Sequence, residues 1–307
     1  MPDAPLHAPS DLARIESFEL RARTVVEGFI TGLHKSPFHG FSVEFAEHRA
    51  YNAGDELRHV DWKVYSRSDR LVVKRYEEET NLRHFVVLDT SASMRYAGQA
   101  GVTKLEYGAT LAGALHVLMA KQRDATGLIA FDGSVHTLVP PKSTRGHVRT
   151  LLARLDALAR VPETAGTETA AAAALHEVAD RIPRRALVVV VSDLFETVAE
   201  AAETVKALRH LRHAGHEVVV FHVLDAATER RFDLGDKPLR VRDLESGDEM
   251  TLQPAQVREG YQAAAEAFLA GVQQTCREAG VDYVPLDTAR PYADALRAYL
   301  DKRRRLY

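Results

Sequence analysis

The stretch His84-Phe85-Val86-Val87-Leu88-Asp89-Thr90-Ser91-Ala92-Ser93 decides the fold. Its four successive apolar residues, closed by a carboxylate and two hydroxyls, form a run of strand length that is apolar on both faces, as in a buried parallel strand. Runs of the same kind recur downstream: TGLIAFD at Thr126–Asp132, SVHTLVP at Ser134–Pro140, RALVVVVSD at Arg185–Asp193, EVVVFHVLD at Glu217–Asp225 and VDYVPLD at Val281–Asp287. Helical stretches lie between them. One carries Leu111, Leu115 and Leu118, a second spans Ala170 to Asp180 and a third Val198 to His213. Pro254 opens a longer one, with Val257, Tyr261, Ala264, Phe268 and Val272 on one face and Gly280 at its end, and Ala293 to Arg305 closes the chain. Alternation of strand and helix requires crossovers that lay helices against the sheet. The expected fold is therefore α/β, doubly wound, with a mostly parallel sheet covered on both faces.

Working outward, Leu12, Ile15 and Phe18, then Val25, Phe29 and Leu33, fall at helical spacing. From His34 to Asn81 the chain turns polar, with short extended runs such as FSVEF and LVVKRYEEE. These residues suggest an N-terminal unit over 1–81, a helix plus a polar loop and strand module packed on a main domain over 82–307. Within the main domain, Gly235, Pro238 and Gly247 mark an irregular or hairpin insertion near 226–253. In the Gly40–Asn81 module, Asp55, Glu56, Arg58, Asp61, Arg67 and Asp69 are interleaved with Trp62 and Tyr65. We read them as an ion-paired network fastening the module to the sheet, with a partner surface as the alternative.

Composition narrows the function. The 307 residues are 46% hydrophobic and 27% charged, as in a folded globular protein, and 40 Lys and Arg stand against 43 Asp and Glu for a formal net charge of -3. Such a balance offers no broad positive field for phosphate backbones, so no nucleic-acid partner is expected. A single cysteine, Cys276, excludes an intrachain disulfide framework. No basic start leads into an apolar run, and the stretch that comes nearest to a membrane span, Leu187–Val191, is far short of the roughly 20 residues that cross a bilayer. A cytoplasmic protein with no transmembrane segment is expected.

The chemistry concentrates where strands end. Asp89, Ser91 and Ser93 place one carboxylate and two hydroxyls at alternate positions just beyond a strand, on the edge where open α/β sheets bind ligands. Ser192-Asp193 closes another strand, and Gly166-Thr167, with Thr164 and Thr169 nearby, precedes a helix. In a parallel sheet these segments finish on one side. Their oxygens suit a hard divalent cation such as Mg²⁺, which keeps some waters and leaves room for an outside ligand.

Asp89, Ser91, Ser93, Thr167 and Asp193 together resemble the metal-ion-dependent adhesion site of von Willebrand factor type A domains. The resemblance implies that Ser91, Ser93 and Thr167 offer hydroxyls to Mg²⁺, Mn²⁺ or Ca²⁺, and that Asp89 and Asp193 act mainly through metal-bound waters. A partner's Glu or Asp would then take the open position. Asp193 is followed by Leu194, where those domains commonly have Gly. The segment GFSVEFAEHRAYNAGDELRHVDWKVYSRSDRLVVKRYEEE, together with SDLFE, is similar to the signature of the bacterial domain-of-unknown-function family fifty-eight (DUF58). Members are typically encoded beside MoxR-type AAA-plus ATPases, which implies an adaptor or assembly and maturation role with such an ATPase.

The function expected from this is a non-enzymatic, metal-dependent protein interaction module. The alternative is a metal-dependent phosphohydrolase or phosphotransferase using Asp89 as nucleophile. Enzymes of the haloacid dehalogenase type, however, need a second Asp where this chain has Ser91. Other features read as structural. His210, His213 and His216 sit at a helix C-terminus ended by Gly215, and Cys276 continues an apolar face. The stretch GQAGVTK at Gly98–Lys104 lacks phosphate-loop spacing, and the DKRRRLY tail is a short solvated run.

Overall fold

The computed structural model describes residues 8–34, 48–50, 62–70, 72–74, 83–160, 171–183, 185–194, 198–244 and 247–304. The chain opens with a short helix α1 (Pro9–Ala13) and a long one, α2 (Phe18–His34). A small antiparallel pair, β1 (His48–Ala50) with β2 (Val72–Lys74), has α3 (Trp62–Ser68) between its strands. Asp55, Glu56, Arg58 and Asp61 of the polar module lie outside the described residues, while Tyr65, Arg67 and Asp69 are exposed.

The main sheet then forms from β3 (Arg83–Asp89), β4 (Ala125–Phe131), β5 (Val135–Lys142), β6 (Ala186–Ser192), β7 (Glu217–Leu224) and, after a small hairpin, a last strand. The hairpin is β8 (Leu239–Arg242) with β9 (Glu249–Leu252), inside the 226–253 segment, and the last strand is β10 (Asp282–Asp287). The order across the sheet is β10-β7-β6-β3-β4-β5, and every neighbouring pair is parallel except β4 with β5. This is the mostly parallel α/β sheet expected from the buried strand runs.

Helices α4 (Lys104–Lys121), α5 (Arg145–Arg160) and α9 (Ala293–Arg304) cover one face, and α6 (Ala171–Arg181), α7 (Val198–His213) and α8 (Pro254–Glu278) the other. Alternating strand residues divide between two cores accordingly: Val86 and Leu88 join the first, Phe85 and Val87 the second. The N-terminal helix α2 is part of the first core. Its Phe18, Ala22, Val26 and Phe29 are buried against α4, and Gly113 permits that approach, because a Cβ there would lie 3.0 Å from the Phe18 ring. Buried between α2 and the sheet, α4 is held as a fixed strut whose first residue points at the sheet's C-terminal edge.

Candidate metal site

Strands β3 and β6 are neighbours in register, Leu88 beside Val191, so their last residues leave the sheet side by side. Ser192 Oγ donates to Asp89 Oδ2 at 2.6 Å, and the Ser91 amide donates to Asp89 Oδ1 at 2.9 Å. That second bond, from two residues ahead, turns the chain sharply as it leaves the strand. The turn brings the Ser91 and Ser93 hydroxyls to 3.1 Å from each other. Asp89, Ser91, Ser93 and Asp193 are all buried, at 1%, 1%, 6% and 2% exposure. Four of the five residues singled out in the sequence thus lie at one rim of the sheet. Thr167, with Thr164 and Thr169, lies outside the described residues.

Among the described residues, three carboxylates, Asp89, Asp193 and Glu229, gather near the Lys104 ammonium. Burial drives the Asp89 carboxyl well above the usual carboxylate range, the nearby Asp193 charge adds to that, and the hydrogen bonds from Ser192 and Ser91 oppose it. Asp193 Oδ2 is met by Lys104 Nζ at 2.6 Å, and the same ammonium lies 2.5 Å from Glu229 Oε1. Lys104 is the first residue of α4 and is 1% exposed. Burial alone would lower its affinity for a proton, but the two carboxylates outweigh burial and raise it.

Glu229 belongs to a π-helical turn, Ala226–Arg230, that follows β7. The Asp225 amide donates to Glu229 Oε2 at 2.7 Å, while Asp225 Oδ1 caps the turn by accepting from the Thr228 amide at 3.0 Å. Gly98 lets the β3–α4 loop close over this turn, since a Cβ there would fall 2.1 Å from the Asp225 carboxyl carbon. Loop, turn and helix start therefore converge on Asp193.

The donor chemistry fits a hard cation. The converging side-chain groups are carboxylates and hydroxyls, and among the described residues no cluster of three or more His, Cys, Asp or Glu forms a ready cage. Hydroxyls and water would have to complete the coordination, as Mg²⁺ prefers. Each Asp89 oxygen accepts one hydrogen bond, which leaves lone pairs for a metal-bound water or for the ion itself.

Two contributors escaped the sequence reading of the site, Lys104 and Glu229, and the role of Ser192 in holding Asp89 was not foreseen. Ser192 was legible as a neighbour of Asp193 at a strand end. The Lys104 contacts join residues 89 and 125 positions apart, and no local pattern announces them. Leu194, where Gly is common in the resembling site, has φ +48°, the left-handed conformation that glycine adopts freely. The backbone keeps that geometry while the leucine side chain packs into the second core at 5% exposure. Elsewhere, Cys276 is fully buried, and burial pushes its thiol up to about 11, so it is core rather than nucleophile. No described helix is long and apolar enough to cross a membrane.

Residues 47–269 match the family model described as "Protein of unknown function DUF58". An uncharacterised protein of Mycobacterium tuberculosis is 29% identical over 299 residues, 96% of this chain and 91% of that protein. Among solved structures, the conserved hypothetical protein BatB from Bacteroides thetaiotaomicron is similar at 19% identity and a TM-score of 0.47, over 72% of this chain and 98% of that one. The VWA domain of SpRpn10 is similar at 11% identity and a TM-score of 0.39, over 71% of this chain and 94% of that one.

Proposed function

We propose that this chain, which belongs to the DUF58 family, is a non-enzymatic interaction module that docks a partner's carboxylate on a divalent cation. Asp89, Ser91, Ser93 and Asp193 would hold the ion, with Thr167 supplying a further hydroxyl. One observation carries the reading: two buried carboxylates and two hydroxyls, from two strands far apart in sequence but paired side by side, converge at the C-terminal edge of the sheet, where open α/β folds bind ligands. A bound Mg²⁺ would present an open coordination position to an outside oxygen. The chain's own part is to orient and shield. The Ser192 and Ser91 bonds fix the Asp89 carboxylate, and the Asp89 turn fixes the two serine hydroxyls. An enzymatic role for Asp89 is less favoured, since Ser91 stands where a second carboxylate would be needed to move a proton.

The partner we propose is a MoxR-type AAA-plus ATPase, on the family resemblance stated above, engaged through an exposed Glu or Asp. Binding of such an ATPase to the immobilised chain tests the function. It should weaken at least about tenfold when EDTA replaces Mg²⁺, and equally in Asp89→Ala, which is the scale of one lost charge-assisted contact. Undiminished binding in both conditions would remove the mechanism. Turnover of phosphate esters with Mg²⁺, lost in Asp89→Asn, would instead establish the enzymatic alternative.

A further inference from the structure

The metal-docking reading leaves Lys104 unexplained. A cation at the first residue of a helix faces the positive end of the helix dipole, and one that is 1% exposed has also lost its water. A lysine in such a place is held only by strong partners. The partners here are Asp193, one of the candidate cation ligands, at 2.6 Å, and Glu229 at 2.5 Å. The Tyr96 ring, centred 5.7 Å from the ammonium, closes another side.

We propose that Lys104 is the resident counter-cation of the site: it neutralises Asp193 in the metal-free protein, and its charge, shared with Glu229, sets how tightly a divalent cation is held. The second half rests on the metal-docking reading; the first does not. Asp193 cannot serve a buried ammonium and a divalent cation without the two cations repelling each other, so Lys104 keeps the site folded when empty and moderates its affinity when filled. Glu229 draws the ammonium's charge away from Asp193 and thereby favours the metal. The two neighbours should then have opposite effects.

Calorimetric titration with Mg²⁺ alone tests this on the full chain. In Lys104→Met the dissociation constant should fall by about tenfold or more, and in Glu229→Gln it should rise by a similar factor, the scale of one charge at short range in a protein of effective dielectric near 20. Both variants moving in the same direction, as a purely structural role predicts, would overturn the proposal. The counter-cation half is read separately, by melting in EDTA of Lys104→Met, Asp193→Asn and the double variant. Pairing predicts that the double variant loses clearly less than the two singles combined, and additivity would overturn it. If Lys104→Met does not fold in EDTA, recovery of its fold with Mg²⁺ supports the proposal. Failure to fold both with Mg²⁺ and in combination with Asp193→Asn overturns it. Were the unaltered chain to take up no Mg²⁺, the proposed function and the affinity half would fall together, and the EDTA comparison would still decide the pairing.

Discussion

Strand β3 carries a polar residue at each end, and the two ends differ in kind. At its start, buried His84 lies 3.0 Å from the Tyr299 hydroxyl and 3.4 Å from Asp124. Nearby, His116 Nδ1 lies 2.6 Å from Thr126 Oγ1, and His147 Nε2 lies 2.9 Å from the Thr126 carbonyl oxygen. At its end, Asp89 shares a rim with the buried Asp193 and Lys104 and the partly buried Glu229. The start of the strand holds one buried carboxylate, Asp124, facing a histidine, whereas the end sets three carboxylates, Asp89, Asp193 and Glu229, at one rim with the Lys104 ammonium, and burying several full charges is expensive even when they are paired. The charged edge is the more expensive of the two to bury, and it is the edge at which the proposed docking function places its ligand.

The largest test of that contrast is acid. Burial, with the neighbouring His147 and His84 rings adding to it, lowers the His116 pKa to about 3 from an ordinary 6.5. The folded protein thus keeps this ring neutral where the unfolded chain would protonate it. Its contribution to stability is complete above pH 6.5 and is lost as pH falls through the window toward 3. At about 1.4 kcal/mol per pKa unit, the loss approaches about 5 kcal/mol at the bottom of the window. Asp89 runs the other way. Its raised pKa means that, in EDTA, protonation on descending from neutrality relieves a buried charge and adds stability. Urea midpoints from pH 7 to pH 3.5, compared between the unaltered chain and His116→Gln, isolate the first term. The variant should show the shallower acid limb, and parallel limbs would break the contrast between the two ends.

Side-chain removal gives a smaller but sharper comparison. Asp193→Ala leaves the Lys104 ammonium buried with one carboxylate instead of two, and breaking a buried ion pair from one side is expected to cost about 3–5 kcal/mol. Thr126→Val at the opposite end removes one hydrogen bond to His116 and should cost about 1–2 kcal/mol. Chemical denaturation of both in EDTA and in Mg²⁺ checks the difference. On the proposed function Mg²⁺ should stabilise the parent protein, and only the Asp193 variant should lose that gain.

The two ends were also unequally legible in the sequence. The sheet was plain, because FVVL and LVVVV are apolar on both faces and leave no amphipathic alternative. Asp89, Ser91 and Ser93 could be read from five adjacent residues, and Asp193 from the rule that parallel strands finish on one side. Lys104 and Glu229 could not. A helix's first residue reaching a strand end, and a turn folding back onto that lysine, are products of tertiary packing with no local signature. The histidine cluster was hidden for the same reason, since His84, His116 and His147 lie on three separate elements. The N-terminal helix was visible as amphipathic, but its fusion into the core of the main domain depends on its apolar face meeting Gly113 of α4.

The step from Ala to Gly at position 194 offers the smallest difference and a clean sign. The Leu194 φ of +48° lies in the left-handed region, which penalises a Cβ by about 1–2 kcal/mol and glycine hardly at all. The side chain is buried in the second core, so truncation to Ala should cost about 2–5 kcal/mol through lost packing. Going on from Ala to Gly removes only one further methyl group but releases the backbone. In an ordinary helix or strand that step loses about 0.5–1 kcal/mol; here it should gain about 1 kcal/mol. Leu194→Gly should therefore melt above Leu194→Ala, though below the unaltered chain. If Ala proved the more stable of the two, the turn after Asp193 would not be held in the left-handed form, and the bond from the Leu194 amide to Ser192 Oγ at 3.0 Å would no longer account for how Ser192 is aimed at Asp89.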